Sequence, residues 1–428
     1  MFSERTNWRL LRNRFTQAID EMQARGVRLL DLTASNPTRV GLEYDSAAIL
    51  GALQSERALD YDPQAKGLLT ARQAVARYYA KRFLRRGRDV ASNVSTAREV
   101  DPESIVLTTS TSEGYSYVFR LLCNAGDEVL VPKPSYPLFE FLADLQDVKL
   151  VPYPLIYDHG WQMDFHSLQR AVTGRTRGVV VVHPNNPTGS YVHDAEVGPL
   201  NEFCRAHGLA LIVDEVFLDY EVSGSEAVEK DSGSLDARLD RHSPSQSLGR
   251  DDTALSFVGN DEVLTFTLSG LSKVSALPQM KVAWVVTSGP STQVETAMSR
   301  LEIIADTFLS MNAPVQWAVP VMLEQRRNIQ GQLLSRVRAN LAVLDRQLAG
   351  QRACERLCIE GGWYAVLRVP VTRSDEELAI ELVRQRSVVV HPGHFYDFDS
   401  DGYLVLSLIA EPEIFADGCR KILEHLKC

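Results

Sequence analysis

Three polar clusters in this chain sit where an apolar run stops. The first is Leu268-Ser269-Gly270-Leu271-Ser272-Lys273, which closes the run 263–268 and delivers a single lysine. A lysine at the end of a buried strand is poorly solvated, so its amine is driven toward the neutral, nucleophilic form. The second is Asn185-Asn186-Pro187-Thr188-Gly189, after the run 178–183. The third is Asp214-Glu215, after Leu209-Ala210-Leu211-Ile212-Val213. Each has an ordinary reading alone: a solvated lysine, an Asn-Pro turn, a cap after a strand. Together they place an amine, an amide and a carboxylate at the C-terminal ends of neighbouring strands. That is the polar set of a cofactor site on an α/β sheet.

The elements that must carry these residues follow from the apolar pattern. Runs at 105–108, 128–131, 149–152, 178–183, 210–213, 263–268 and 282–287 are short, β-rich and separated by helical stretches. The alternation predicts an α/β fold with a mainly parallel, seven-stranded sheet covered on both faces. Helices are expected at 4–25, stopped by Gly26, and at 68–83, where Leu69, Ala76, Tyr79 and Phe83 recur at helical spacing. Residues 293–348 read as largely helical. Strands at 361–369 and 403–409 with helices at 375–386 and 414–426 form a smaller α/β unit. The expected division is a large cofactor-binding domain at 45–290 and a small domain from 1–44 plus 291–428. Residues 223–260, loaded with Ser, Gly, Asp and Arg, break the rhythm; they read as a surface insertion or as a lid over the site.

Bulk properties remove several classes of function. A net charge of −10 over 428 residues argues against a nucleic-acid partner. The six cysteines are scattered; Cys354 and Cys358 have no second pair to complete a metal site. The start of the chain, rich in Arg and Asn, is not a secretory signal, and no apolar run reaches membrane-spanning length. The chain reads as cytoplasmic, with no membrane partner and no metal.

Asn186-Pro187-Thr188-Gly189, Asp214-Glu215-Val216-Phe217 and Ser269-Gly270-Leu271-Ser272-Lys273, in that order, carry a resemblance. The chain resembles the fold-type-I pyridoxal-phosphate enzymes, in particular the class I/II aminotransferases, from about residue 32 to 407. The resemblance implies pyridoxal 5'-phosphate as cofactor and transfer of an amino group between an amino acid and a 2-oxo acid. It implies that Lys273 links covalently to the cofactor and then acts as the base. Asp214 would pair with the ring nitrogen, Asn186 would donate to the ring oxygen, and Tyr136 would stack on the ring. Ser110-Thr111-Ser112-Glu113-Gly114 would form the phosphate cup at the start of a helix, with Ser272 close by. Tyr61 matches a tyrosine that reaches the phosphate of a neighbouring subunit, which implies a homodimer. A C–S β-lyase of the same fold shares all these residues, and a non-catalytic cofactor-binding sensor is a third reading.

Three positions depart from the family pattern. Lys281, eight residues after Lys273, stands where an arginine usually contacts the phosphate; it keeps the charge and loses the two-pronged fork. Phe217, three residues after Asp214, replaces a tyrosine, which removes a donor to the ring oxygen. Val405, in Gly402-Tyr403-Leu404-Val405-Leu406-Ser407, replaces the arginine that holds the substrate α-carboxylate. Arg39, beside Asn36, and Arg368, after Gly361-Gly362-Trp363-Tyr364, are the candidate replacements. Asp306-Thr307 near Ser310, where dicarboxylate-specific relatives carry an arginine, predicts that dicarboxylic side chains are disfavoured.

Overall fold

The computed structural model describes residues 1–8, 12–86, 100–137, 139–222, 255–309 and 311–427. All seven predicted runs form strands of one sheet, which among the described residues has eight strands rather than seven. The extra one, Trp161–Met163, pairs antiparallel with the end of Lys149–Tyr157. It is only three residues long, too short to stand out as a run. Glu128–Lys133, Lys149–Tyr157, Thr176–Val182, Ala210–Asp214 and Thr265–Gly270 run parallel to their neighbours, and Ala283–Ser288 is antiparallel. The parallel strands Thr176–Val182, Ala210–Asp214 and Thr265–Gly270 are buried almost throughout, as helices on both faces require; the third carries the buried hydroxyls of Thr265, Thr267 and Ser269 among its apolar residues.

A second sheet orders Glu355–Arg356, Tyr364–Arg368, Tyr403–Ser407 and His391–Pro392. The chain entry Leu30–Asp31 pairs with Val388–Val389, tying the N-terminal segment to this smaller unit. The expected N-terminal helix is shorter: Asn13 caps Arg14–Ala24, its side chain accepting from the Thr16 N–H at 2.7 Å. Ahead of it, Trp8 donates to Asp144 at 2.8 Å and Arg5 pairs with Asp147, so the first residues lie against the large sheet's helices.

Two helices follow the expected boundary at residue 290. Helix Ser291–Phe308 packs Ala297, Met298 and Leu301 against Val106 and Phe119 of the large unit. The long helix Ala313–Leu348 starts on the large unit through Ala318, Val319 and Met322 and ends on the small one through Leu333, Val337 and Leu341. One helix therefore serves both cores, which a linear reading cannot divide.

The two units also meet at glycines. Gly189, at φ +71°, accepts the Gly361 N–H at 2.8 Å, and a Cβ there would lie 2.5 Å from the Gly361 carbonyl oxygen. Replacing Gly189 by alanine therefore incurs both left-handed strain and a backbone collision. We expect a loss of about 3 kcal/mol or more, read as a lower urea midpoint with an unchanged slope. A stability within about 0.5 kcal/mol of wild type would contradict this packing.

Candidate active site

Lys273 is placed by backbone, not by its own side chain. The strand Thr265–Gly270 ends at Gly270, where a Cβ would meet the Val282 carbonyl oxygen and the Ala283 Cβ at 2.9 Å. The chain then turns into the short helix Leu271–Val274. Tyr220 donates its hydroxyl to the Lys273 carbonyl at 2.6 Å, Gln330 donates to Val274 O at 2.8 Å, and Tyr44 donates to Ala276 O at 2.9 Å. The Nζ projects beside two rings, 5.6 Å from the Phe217 centroid and 5.0 Å from that of Trp363. Burial lowers its pKa from 10.5 to about 8, against a smaller opposing pull from the Asp214 charge.

Asp214 ends the neighbouring parallel strand, in register with Leu268. Its Oδ1 accepts the Val216 N–H at 3.1 Å and its Oδ2 accepts the Tyr115 hydroxyl at 3.2 Å. Burial raises it from 3.8 to about 6, with those two donors and Lys273 acting the other way. Such a carboxylate lacks a full counter-charge and is suited to a cationic ring nitrogen. Asn186 is 8% exposed, and its Oδ1 has no hydrogen-bond partner among the described residues. Neighbouring Asn185, in contrast, donates to Pro134 O at 3.1 Å and to Thr188 Oγ1 at 2.9 Å. A flip of the Asn186 amide presents a donor at the same buried place, which fits an anionic ring oxygen. Tyr136 is half-exposed on the turn after Lys133; burial and the Asp214 charge raise its pKa, so its ring lies within reach of that carboxylate's field.

Helix Thr111–Leu122 starts at the end of strand Ile105–Thr108, with Ser110 as its cap. Thr111 and Ser112 are half-buried at its first turn, Ser272 is half-buried, and Lys281 is exposed at the cap of the turn Pro278–Met280. Together they suit a phosphate dianion. Glu113, expected in that cup, has other partners. Its N–H is taken by Ser110 Oγ at 3.2 Å, and its carboxylate accepts from the Thr109 N–H and hydroxyl at 2.6 and 3.0 Å. It braces the turn, and its negative charge would oppose a phosphate.

The substrate-side expectations divide. Asn36 caps the turn Pro37–Arg39, its Oδ1 accepting from the Thr38 N–H and hydroxyl, and Arg39 is exposed on that turn. Arg368 is not at the site: it is exposed at the far end of Tyr364–Arg368 and paired with Glu355. Tyr61 is 82% exposed. Of the predicted insertion, residues 223–254 lie outside the described residues, as does Ser310. Residues 255–260 are not a free surface insertion, since Phe257 and Val258 are buried and the Phe257 N–H and Ser256 hydroxyl bind the Glu215 carboxylate at 2.6 and 2.8 Å.

Sequence reasoning missed Tyr115 and passed over Trp363 and Tyr364. Tyr115 lies one helical turn beyond Thr111, so the spacing that places Thr111 at the cup also places Tyr115 against Asp214. Trp363 and Tyr364 carry no local signal. Hydrogen bonds from Gly361 N to Gly189 O and from Gly362 N to Tyr220 O, both 2.8 Å, bring them to Lys273 across a long sequence distance.

Comparison with known proteins bears on the family and the fold. Residues 31–410 match the family model for aminotransferase class I and II. The glutamate-pyruvate aminotransferase AlaA of Haemophilus influenzae is 24% identical over 90% of this chain and 88% of its own length. The alanine aminotransferase of Mycobacterium tuberculosis is 25% identical over 90% of this chain and 82% of its own length. The S-alkyl-thiohydroximate lyase SUR1 of Arabidopsis thaliana is 24% identical over 81% of this chain and 68% of its own length. In fold, the alanine aminotransferase from Pyrococcus furiosus superposes over 100% of both chains with a TM-score of 0.82 at 18% identity. The chain belongs to the class I and II aminotransferases and has their fold-type-I architecture. It is a pyridoxal-phosphate-dependent aminotransferase.

Proposed function

We propose that Lys273, Asp214, Asn186 and Tyr136 form the working centre, and that an amino acid without a second carboxylate is the donor. The observation that carries the reading is a half-buried lysine whose amine lies beside the Phe217 and Trp363 rings, set near a half-buried carboxylate that ends the adjacent strand, with burial lowering the one pKa and raising the other. Bound pyridoxal phosphate supplies a carbonyl carbon that takes the amino group and a conjugated ring that accommodates the electron pair released at the donor Cα. Lys273 Nζ, once neutral, takes the Cα proton. Asp214 keeps the ring nitrogen protonated, and Tyr115 holds that carboxylate in place. Asn186 donates to the ring oxygen, with Phe217 offering no second donor. Thr111, Ser112, Ser272 and Lys281 hold the phosphate. A donor of the alanine type agrees with what the M. tuberculosis relative is named for, whereas the name of AlaA pairs glutamate, a dicarboxylic amino acid, with pyruvate.

The test is the visible spectrum of the protein with pyridoxal phosphate, repeated after a panel of amino acids and a 2-oxo acid. A yellow band that bleaches with the donor and returns with the 2-oxo acid supports transfer. Release of a 2-oxo acid from a single thioether amino acid, with no acceptor present, would instead support the lyase chemistry for which the SUR1 relative is named.

The active unit in this reading is a cytoplasmic homodimer in which Tyr61 crosses to the partner's phosphate. Exposed Leu59, Tyr61, Ile303, Phe308 and Leu309 support it, and the groove between residues 63–66 and Ile303 and Asp306 joins the two segments that carry them. Sedimentation is expected at twice the chain mass. Tyr61→Phe is expected to weaken pyridoxal-phosphate binding about tenfold, the usual value of a hydrogen bond to a charged group. A monomer, or unchanged cofactor affinity, would count against the crossing tyrosine.

A further inference from the structure

The strand Tyr403–Ser407 contains no charged residue, and Val405, where a carboxylate-binding arginine was expected, is 1% exposed. Register identifies what shares its face. Val405 lies opposite Val366 on one side and His391 on the other, and Tyr364 lies opposite Ser407. Directly opposed residues of an antiparallel pair share a face, and alternate residues of a strand do too. Tyr364, Val366, Val405, Ser407 and His391 therefore stand on one side of the small sheet. Arg368 shares that side but is four residues beyond Tyr364, about 13 Å along the strand, and is paired with Glu355.

Of these residues Tyr364 is the one that reaches the Lys273 pocket. Its ring lies 6.3 Å from that of Phe217, which in turn lies 5.6 Å from Lys273 Nζ. Tyr364 is 7% exposed as a residue, and its hydroxyl, which is not among the fully buried polar atoms, has no hydrogen-bond partner among the described residues. Nearby buried phenols differ: Tyr115 donates to Asp214, Tyr220 donates to Lys273 O, and Tyr396 is bonded to His391 Nδ1 at 3.0 Å. A hydroxyl that is open to the pocket and unpaired within the chain is free to meet a ligand there. The imidazole behind Tyr396 cannot supply a cation, because burial lowers His391 to about 4, against a smaller pull from Asp31.

We propose that Tyr364 receives the donor's α-carboxylate through its hydroxyl, in place of an arginine on the small sheet. The proposal rests on the assignment of the Lys273 pocket as the donor site. A neutral O–H donor meets a carboxylate with one charge-assisted bond, where a guanidinium offers two bonds and a full charge. The enzyme should therefore distinguish an α-amino acid from the amine lacking its carboxylate less sharply than an arginine-bearing site would, and Tyr364 should be the residue that makes the distinction.

The experiment compares wild type, Tyr364→Phe and Arg39→Gln after reconstitution with pyridoxal phosphate. The yellow band is recorded first; if wild type forms none, the Lys273 assignment fails rather than the role of Tyr364. The ratio of kcat/KM for phenylalanine to that for phenethylamine is then measured. Binding of the unreactive 3-phenylpropionate to cofactor-free protein is followed by tryptophan fluorescence. Tyr364→Phe is expected to lower the ratio about tenfold and to weaken 3-phenylpropionate by a similar factor, while Arg39→Gln moves either by less than twofold. An unchanged ratio in Tyr364→Phe overturns the proposal. A drop confined to Arg39→Gln overturns it as well, since the carboxylate would then be held from the N-terminal turn. Turnover of phenethylamine with no turnover of phenylalanine in wild type would also overturn it.

Discussion

Lys273→Ala is expected to lose at least about 10⁴-fold in kcat and to form no covalently held yellow band with pyridoxal phosphate. The size of the loss follows from the structure around the side chain. Tyr220, Gln330 and Tyr44 pin the backbone of residues 273–276, so alanine stays where Lys273 was and leaves that position without an amine. Lys273→Arg should be nearly as damaging, because a guanidinium stays protonated and cannot act as nucleophile or base. The lysine also predicts a pH dependence. Its folded-state pKa of about 8 lies below its ordinary 10.5, so the unfolded chain binds more protons between those values. The stability of cofactor-free protein should rise with pH across that window, and the burial penalty is at its full size below about pH 8. Uptake of pyridoxal phosphate should likewise quicken as pH rises through about 8, since the neutral amine is the reacting form. A variant that keeps wild-type turnover without Lys273 would remove the basis of the whole site.

Asp214→Ala is expected to lower kcat by about 10³-fold or more, because it removes the buried anion that keeps the ring nitrogen protonated. Its effect on stability runs the other way. The folded-state pKa of about 6 exceeds the ordinary 3.8, so the folded protein binds more protons between those values. Stability of the cofactor-free protein should fall as pH rises from about 4 to 6 and remain reduced above that, by a total on the order of 3 kcal/mol. Asp214→Asn should abolish that fall, becoming more stable than wild type at pH 7 while being far less active. Urea unfolding at pH 5 and pH 7, set beside kcat, separates the two effects. If Asp214→Asn were less stable than wild type at pH 7, Asp214 would be a structural cap after its strand and not a residue held ready for a cofactor.

Much of the site was legible because it lies at strand ends. Lys273, Asp214 and Asn186 each follow an apolar run, and such a run locates the end of a buried parallel strand to within a residue or two. The strand carrying Lys273 runs two residues later than predicted, Thr265–Gly270, because Gly270 can enter the tight space beside Val282 that a side chain could not. Glu113 was misread for a related reason. A carboxylate three residues after a serine cap folds back on the turn, a local contact that outcompetes any role in the cup. Arg368 was misplaced because proximity in sequence to Trp363 and Tyr364 says nothing about distance along an extended strand.

The sequence by itself determined the order of strands and helices, the three polar clusters and the departures at Lys281, Phe217 and Val405. These depend on local periodicity and on residue identity, both of which can be read from the chain. The tertiary structure alone decided which aromatics wall in Lys273, that Tyr115 supports Asp214, and that Tyr364 stands with an unpaired hydroxyl in that pocket. Those contacts join residues far apart in the chain, and the long helix and the Gly189–Gly361 junction bring Trp363 and Tyr364 of the smaller unit to the large one. Burial, not residue type, then sets the charge of the lysine and the aspartate, and burial is a property of the packed fold.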